Sequence, residues 1–259
     1  MSDRRPVTVV TGAGRGIGRE IAIRLASAGA DVVLAGRDPV TLDATAEAAG
    51  AVGAATACVR TDVTSEEDVA ALAAEATERF GAADALVANS GVGGPSGALW
   101  ELDREAWDET FAVNVTGVFL CARAFLPAML ERGSGSIVVI GSMTGKRPLW
   151  GRTPYAASKL ALVGLVRTLA LETASSGVRV NLVSPGPVEG ERMAWAFRAQ
   201  AEGRGISAED ARAEMVAQIP VGRLIDAREV ADAVVALTLG ELTAVTGADL
   251  NVSGGMVMY

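Results

Sequence analysis

The sequence predicts an α/β protein: a doubly wound parallel sheet of about seven strands with helices on both faces. Three observations carry this reading. Short, almost wholly apolar runs alternate with longer Ala-rich segments of helical character along all 259 residues, as strands buried on both faces require. A glycine-rich turn follows the first run and opens the first helical segment. No internal repeat or low-complexity linker divides the chain, so residues 1–259 are expected to form a single domain.

The strand candidates are Val7–Val10, Asp31–Ala35, Ala54–Arg60, Ala85–Ala88, Ser136–Ile140, Val178–Val183 and Asp249–Val252. Between them lie helix candidates at 16–28, 39–49, 65–80, 104–132, 155–176 and 227–239. One stretch breaks the rhythm. Residues 187–222 hold Met193, Trp195, Phe197, Met215 and Ile219 among charges, and are expected to form a substrate-lid insert with one or two helices. It starts where the sixth strand ends, and in an open α/β sheet ligands bind beyond the strand C-termini.

Composition narrows the chemistry. An apolar fraction of 50% and 30 glycines allow a large core and many tight turns. No run of 18 apolar residues is present, so no membrane span is expected, and the N-terminus runs from Met1 into the first strand without room for a signal peptide. Cys58 and Cys121 are far apart and outside any CxxC pair, which fits reduced core residues and a cytoplasmic location. The net charge of −8 and a pI near 4.8 argue against nucleic acid or an anionic membrane as partner. The chain has no histidine, which removes Ser-His-Asp and Cys-His catalysis and histidine-ligated metals, and no metal is expected. Acid–base work at neutral pH then falls to Tyr, Lys, Cys or a shifted carboxylate.

Two motifs point to chemistry. The first run leads into Thr11-Gly12-Ala13-Gly14-Arg15-Gly16-Ile17-Gly18. Such glycines permit a tight turn, a close backbone approach to a phosphate and close helix–strand packing, while the helix N-terminus favours negative charge. In this setting the loop reads as a Rossmann-type dinucleotide site; a glycine-rich turn without a ligand is the plain alternative. The second motif is Tyr155-Ala156-Ala157-Ser158-Lys159, with Ser142 upstream. Four-residue spacing on a helix puts Tyr155 and Lys159 on one face. A neighbouring ammonium favours the phenolate and lowers a pKa that is otherwise near ~10. Tyr155 could then pass a proton to or from an alcohol oxygen that Ser142 also binds. Taken alone, the spacing fits an ordinary surface pair equally well.

The order TGxxxGxG, Asn89-Ser90-Gly91, Asn114, Ser142, Tyr155, Lys159 and Pro185-Gly186 resembles the short-chain dehydrogenase/reductase family over the whole chain, with Ser142 thirteen residues before Tyr155. The resemblance implies that a hydride moves between nicotinamide and a carbonyl carbon. It implies Tyr155 as acid/base, Lys159 lowering its pKa and holding the cofactor ribose, and Ser142 orienting the substrate oxygen. Asn114 would anchor a water that links Lys159 to solvent. It also implies cofactor contacts from Thr11, Gly12, Gly14, Gly16, Ile17, Gly18, Asp62, Val63, Asn89, Gly91, Tyr155, Pro185, Gly186 and Val188. Two departures stand out: the family's NNAG reads Ala88-Asn89-Ser90-Gly91, and Gly190 stands where a Ser or Thr often binds the cofactor. Asp62 has an alternative as the cap of the helix starting near Ser65.

The cofactor is expected to be NADP(H) in preference to NAD(H). Gly36 occupies the position after the second strand where NAD enzymes place a carboxylate, and Arg37 and Arg15 could bind a 2′-phosphate. Solvated surface charge is the alternative for both arginines. The reacting centre is expected to include Gly93, Gly94, Met143, Leu149, Trp150, Met193 and the insert, a surface with aromatics and methionines but few charges. That favours a largely hydrophobic small ketone or secondary alcohol; Trp195 and Phe197 have packing of the insert as their alternative. The C-terminal stretch Asn251–Tyr259 is similar to β-ketoacyl and polyketide ketoreductases, which keeps a 3-oxoacyl or polyketide ketoreductase, or an NAD-dependent alcohol dehydrogenase, as alternatives. Small residues Ala156, Ala157, Ala161 and Gly164 on one helix and the apolar ending suit close subunit packing, and the resemblance implies a homotetramer.

Overall fold

A computed structural model describes residues 4–240 and 242–259. Seven strands form one parallel sheet in the order β3-β2-β1-β4-β5-β6-β7. They are β1 Val7–Thr11, β2 Asp31–Gly36, β3 Thr56–Arg60, β4 Ala85–Ala88, β5 Gly135–Ile140, β6 Val178–Pro185 and β7 Asp249–Val252. The order reverses between β1 and β4, and the crevice outside the strand C-termini at that point is where such sheets bind ligands.

Side chains that alternate along each strand enter two separate cores. Val7, Val9, Val33, Ala35, Ile137 and Val139 face one; Val10, Val32, Leu34, Val138 and Ile140 face the other. The first core is covered by α3 Glu66–Phe80, α5 Gly117–Arg132 and α6 Thr153–Thr173, the second by α1 Gly16–Ser27, α2 Pro39–Gly50 and α9 Ala227–Thr238. Burial on both faces is why the strands lack a polar alternation.

The expected helix 104–132 is two helices. α4 Arg104–Phe111 and α5 are joined by a π-helical turn, Ala112–Thr116, that carries Asn114. The apolar periodicity ran through this turn because π-turns need no Gly or Pro to mark them. By length and composition the stretch Arg104–Arg132 could cross a membrane, but Val118, Leu120, Cys121, Phe125 and Met129 are buried in the first core. The insert holds two helices, α7 Glu191–Arg204 and α8 Ala208–Val216, around a small core of Phe197, Ala211, Ile219 and Leu224. Phe197 packs there as the structural alternative had it, whereas Trp195 is exposed. Both cysteines are free.

Candidate active site

Every element of the site leaves the C-terminal edge of the sheet. The loop after β1 turns at Gly12, whose φ of +65° favours glycine. A Cβ on Gly18 would lie 2.1 Å from the Gly12 carbonyl oxygen, so α1 closes on the loop only with glycine there. The loop is tied to the end of β4. Asn89 Nδ2 donates to the carbonyls of Thr11 (2.9 Å) and Gly12 (3.2 Å), and Thr11 Oγ1 accepts from the N–H groups of Asn89 and Ser90, both at 3.0 Å. The Asn89 side chain is thus spent on shaping the loop.

Asn114 is fully buried beneath this edge. Its Oδ1 accepts from Val92 N (2.8 Å), and its Nδ2 donates to Val92 O and Ser158 Oγ, each at 3.0 Å. Ser158 Oγ in turn donates to the Tyr155 carbonyl at 2.8 Å. This connection clamps the π-turn, the loop after β4 and the first turn of α6 together. Ser158 went unnoticed in the sequence although it stands inside the Tyr-Lys motif.

Tyr155 and Lys159 lie one turn apart on α6, with Lys159 Nζ 5.9 Å from the Tyr155 ring centroid. Lys159 is buried, and its ammonium donates to the Ile140 carbonyl at 2.8 Å. Burial pulls the ammonium below the ordinary lysine value, against the opposing pull of Tyr155. Burial alone would raise the Tyr155 phenol; Lys159, Arg192, a hydrogen bond from the Ser142 hydroxyl and Arg152 together outweigh it and hold Tyr155 below its usual value. Ser142 Oγ also accepts from Thr144 N at 3.1 Å, which fixes the serine at the start of the 3₁₀ turn Met143–Gly145.

Two cations of this set were not anticipated. The guanidinium carbons of Arg152 and Arg192 lie 5.2 and 5.4 Å from the Tyr155 ring centroid. They are 40 residues apart, one ahead of α6 and one in the insert, so no local spacing announces the pair. The expectation of few charges near the reacting centre is corrected by them. Of the residues named for substrate, Met143 directly follows Ser142, Met193 packs beside the small core of the insert, and Trp150 is 82% exposed.

The remaining candidates fall along the same edge. Asp62 does not cap α3: Ser65 does, accepting from Asp68 N, while Asp62 takes hydrogen bonds from the Thr64 N–H and hydroxyl. Those bonds hold its carboxylate below the usual range; burial opposes them, and Arg37 and Arg60 assist. Val63 is buried against Gly117 and can offer a ligand only backbone. Asp38 caps α2 by accepting from Val40 N at 3.1 Å. Arg15 and Arg37 are exposed and, among the described residues, their side chains form no hydrogen bond or ion pair. Gly186 N donates to Val252 O (2.9 Å), and Val188 forms a single bridge with Ile225.

These residues fit a dinucleotide. The glycine loop is pre-shaped, and a Cβ on Gly91 would sit 3.2 Å from Asn114 Oδ1 and 3.5 Å from Lys159 Nζ, filling the cradle beside the Tyr-Lys pair. A parallel sheet with a glycine loop after β1 and a Tyr-Lys pair on a later helix defines a class, the nucleotide-dependent oxidoreductases of the Rossmann type. More narrowly, the chain belongs to the short-chain dehydrogenase/reductase family: a family model described as enoyl-(acyl carrier protein) reductase matches residues 12–257. It is 41% identical to a cis-4-hydroxycyclohexanecarboxylate dehydrogenase of Sinomonas cyclohexanicum, over 96% of this chain and 95% of that one. A variant of actinorhodin polyketide ketoreductase, solved with NADPH, superposes with a TM-score of 0.94 at 39% identity, covering 98% of each chain. NAD⁺-bound xylitol dehydrogenase superposes with a TM-score of 0.93 at 28% identity, over 98% of this chain and all of that one. The chain is an oxidoreductase acting on CH–OH or C=O groups with a pyridine nucleotide.

Proposed function

We propose that this chain is an NADP(H)-dependent carbonyl reductase or secondary-alcohol dehydrogenase in which Tyr155 is the acid/base. The observation that carries the reading is a phenol held below its ordinary pKa by Lys159, two arginines and the Ser142 hydroxyl, beside a pre-shaped glycine loop. A bound nicotinamide nucleotide supplies or takes up the hydride. The chain does the rest. Ser142 and Tyr155 hydrogen-bond the substrate oxygen; Tyr155 donates its proton as a carbonyl is reduced and accepts it as an alcohol is oxidised. Lys159 keeps the phenolate accessible and would hold the ribose of the nucleotide, and Asn114, which fixes the loop after β4 through Val92, would anchor a water that serves Lys159.

The preference for NADP(H) rests on Arg15 and Arg37, which have no protein partner among the described residues, and on Asp38, whose carboxylate is committed to the α2 cap. Residues 187–222 serve as the substrate lid. The substrate is a small ketone or secondary alcohol; the Sinomonas relative is named for a ring alcohol of that kind. A carrier-bound ketoacyl substrate is the second reading, favoured by the likeness to actinorhodin ketoreductase. Against it, Arg132, the basic residue just before β5, is occupied by Ala83 O and Ser134. We place the enzyme in the cytoplasm as a homotetramer, with the free cysteines and the exposed apolar residues of α6 as support.

The test follows absorbance at 340 nm with NADPH or NADH and a panel of ketones that includes 4-oxocyclohexanecarboxylate. Turnover of one or more ketones, faster with NADPH, is expected. No turnover of any ketone or secondary alcohol with either nucleotide would overturn the reading.

A further inference from the structure

We propose that Arg152 and Arg192 form an anion subsite beside Tyr155 that binds a carboxylate on the substrate, so that the enzyme works on keto acids and hydroxy acids. This rests on the carbonyl reductase reading above and narrows its substrate class.

The two guanidiniums converge. Arg152 is held in place by Gly93 O (Nη2, 2.7 Å) and Ser96 Oγ (Nη1, 2.8 Å). A Cβ on Gly93 would lie 3.2 Å from Arg152 Nη2 and 2.8 Å from Arg192 Nη2, so both forks reach the same point on the loop after β4. They flank the ring of the residue that handles the substrate oxygen. An anion between them therefore sits only a few bonds from the reacting carbon.

Among the described residues no carboxylate neutralises them: neither arginine has one within ion-pair distance, and the Arg192 guanidinium makes no hydrogen bond. Of the acids next to Arg192 in the chain, Glu189 is paired with Arg212, and Glu191, at the start of α7, forms no ion pair with either arginine. Two like charges brought together in a chain of net charge −8 are not a general surface property. The cost is visible on Arg152, whose guanidinium is pulled down by burial and then by Arg192. A carboxylate would relieve that repulsion and accept charge-assisted, bidentate hydrogen bonds. The positive end of α7, where Arg192 is the second residue, adds to the attraction.

The competing account is that the arginines serve only to stabilise the Tyr155 phenolate. The two are separated by a ratio, because an effect on Tyr155 enters every substrate equally. The measurement is kcat/KM for 4-oxocyclohexanecarboxylate and for its methyl ester, in wild type and Arg192→Leu, with circular dichroism to confirm folding. Wild type is expected to prefer the acid at least tenfold, and Arg192→Leu to cut that preference tenfold or more, with Arg192→Lys between them. The NADPH Kd should stay within about threefold, since tenfold corresponds to about 1.4 kcal/mol and a lost phosphate contact would exceed it. An acid/ester ratio near one in wild type, a ratio unchanged in Arg192→Leu, or a raised NADPH Kd that accounts for the loss would overturn the subsite. If neither compound is reduced, calorimetry of cyclohexanecarboxylate and its methyl ester on the NADP⁺-saturated enzyme decides. Tighter acid binding that is lost in Arg192→Leu upholds the subsite, and equal or absent binding overturns it. Failure of the oxidoreductase reading is seen separately, as absence of turnover across the whole ketone panel.

Discussion

At Tyr155 the arrangement lowers the pKa of a proton-transfer group without a histidine. Its burial works against the phenolate, and three cations and a hydroxyl donor work for it, with the second outcome prevailing. Tyr155→Phe removes the proton but keeps the ring that the arginines flank, so nucleotide binding should survive while kcat falls about 10²–10⁴-fold, the usual range for a positioned acid/base. Steady-state rates and an NADPH titration of the variant check this. The sign of the pH dependence follows from the lowered pKa. Alcohol oxidation needs the phenolate, so its kcat/KM should rise with pH through an apparent pKa below the free value of ~10, and ketone reduction should fall through the same point. Arg192→Leu takes away one of the cations, and its profile should move upward toward the free value. A profile that stays put would show that Arg192 does not act on Tyr155 in solution.

In the NADP(H) reading proposed above, the β2–α2 connection would decide the nucleotide, because two adjacent residues are given different work. Asp38 is the N-cap of α2 and its carboxylate faces Val40 N, while Arg37 is left exposed and near Asp62. Arg37→Asp should therefore shrink or reverse a preference for NADP(H) that is at least tenfold in wild type, read as kcat/KM with both nucleotides; a charge-assisted hydrogen bond contributes about 1.5–3 kcal/mol. Asp38→Ala should instead cost about 1 kcal/mol of stability through the lost cap and leave the preference in place. Elements were legible where burial on both sheet faces forced unbroken apolar runs, as in Val32–Ala35 or Ile137–Ile140, and where glycines marked a forced turn, as at Gly12. Asn114 was legible as a residue but not as part of a π-turn, since a π-turn alters hydrogen-bond register without changing which faces are apolar. The bonds from the Asn89 amide to the Thr11 and Gly12 carbonyls were not legible, because sequence shows that an amide is near a site and not where its hydrogens go. The Arg152–Arg192 pair was illegible for a different reason: its two members meet only through tertiary structure, and each alone looks like a solvated charge.

Across the whole molecule, two of the exposed apolar regions of the described surface are suited to contact between copies of the chain. One is a stripe on α6 where Leu160, Gly164 and Leu171 share a face at helical spacing, with Leu171 83% exposed and open space beyond Gly164. The other is the chain end beside β7, where Met258 is 80% and Tyr259 79% exposed, Tyr259 being anchored through its hydroxyl to Lys146 O. A tetramer with dihedral symmetry needs two different self-complementary surfaces, and the α6 stripe and the chain end beside the edge strand β7 are two distinct regions. The absence of a side chain at Gly164 allows the close helix approach that a symmetric contact across α6 requires. Wild type is therefore expected to elute with a light-scattering mass four times the 26.4 kDa chain. Leu171→Glu places a charge at the C-terminal end of the proposed α6 contact without touching either core, so it should halve that mass while the circular dichroism spectrum stays unchanged. Truncation after Gly255 should likewise yield a half-size particle, by opening the other contact. If Leu171→Glu leaves the mass at the wild-type value, α6 faces solvent in the assembly and its small residues answer to packing within the chain alone.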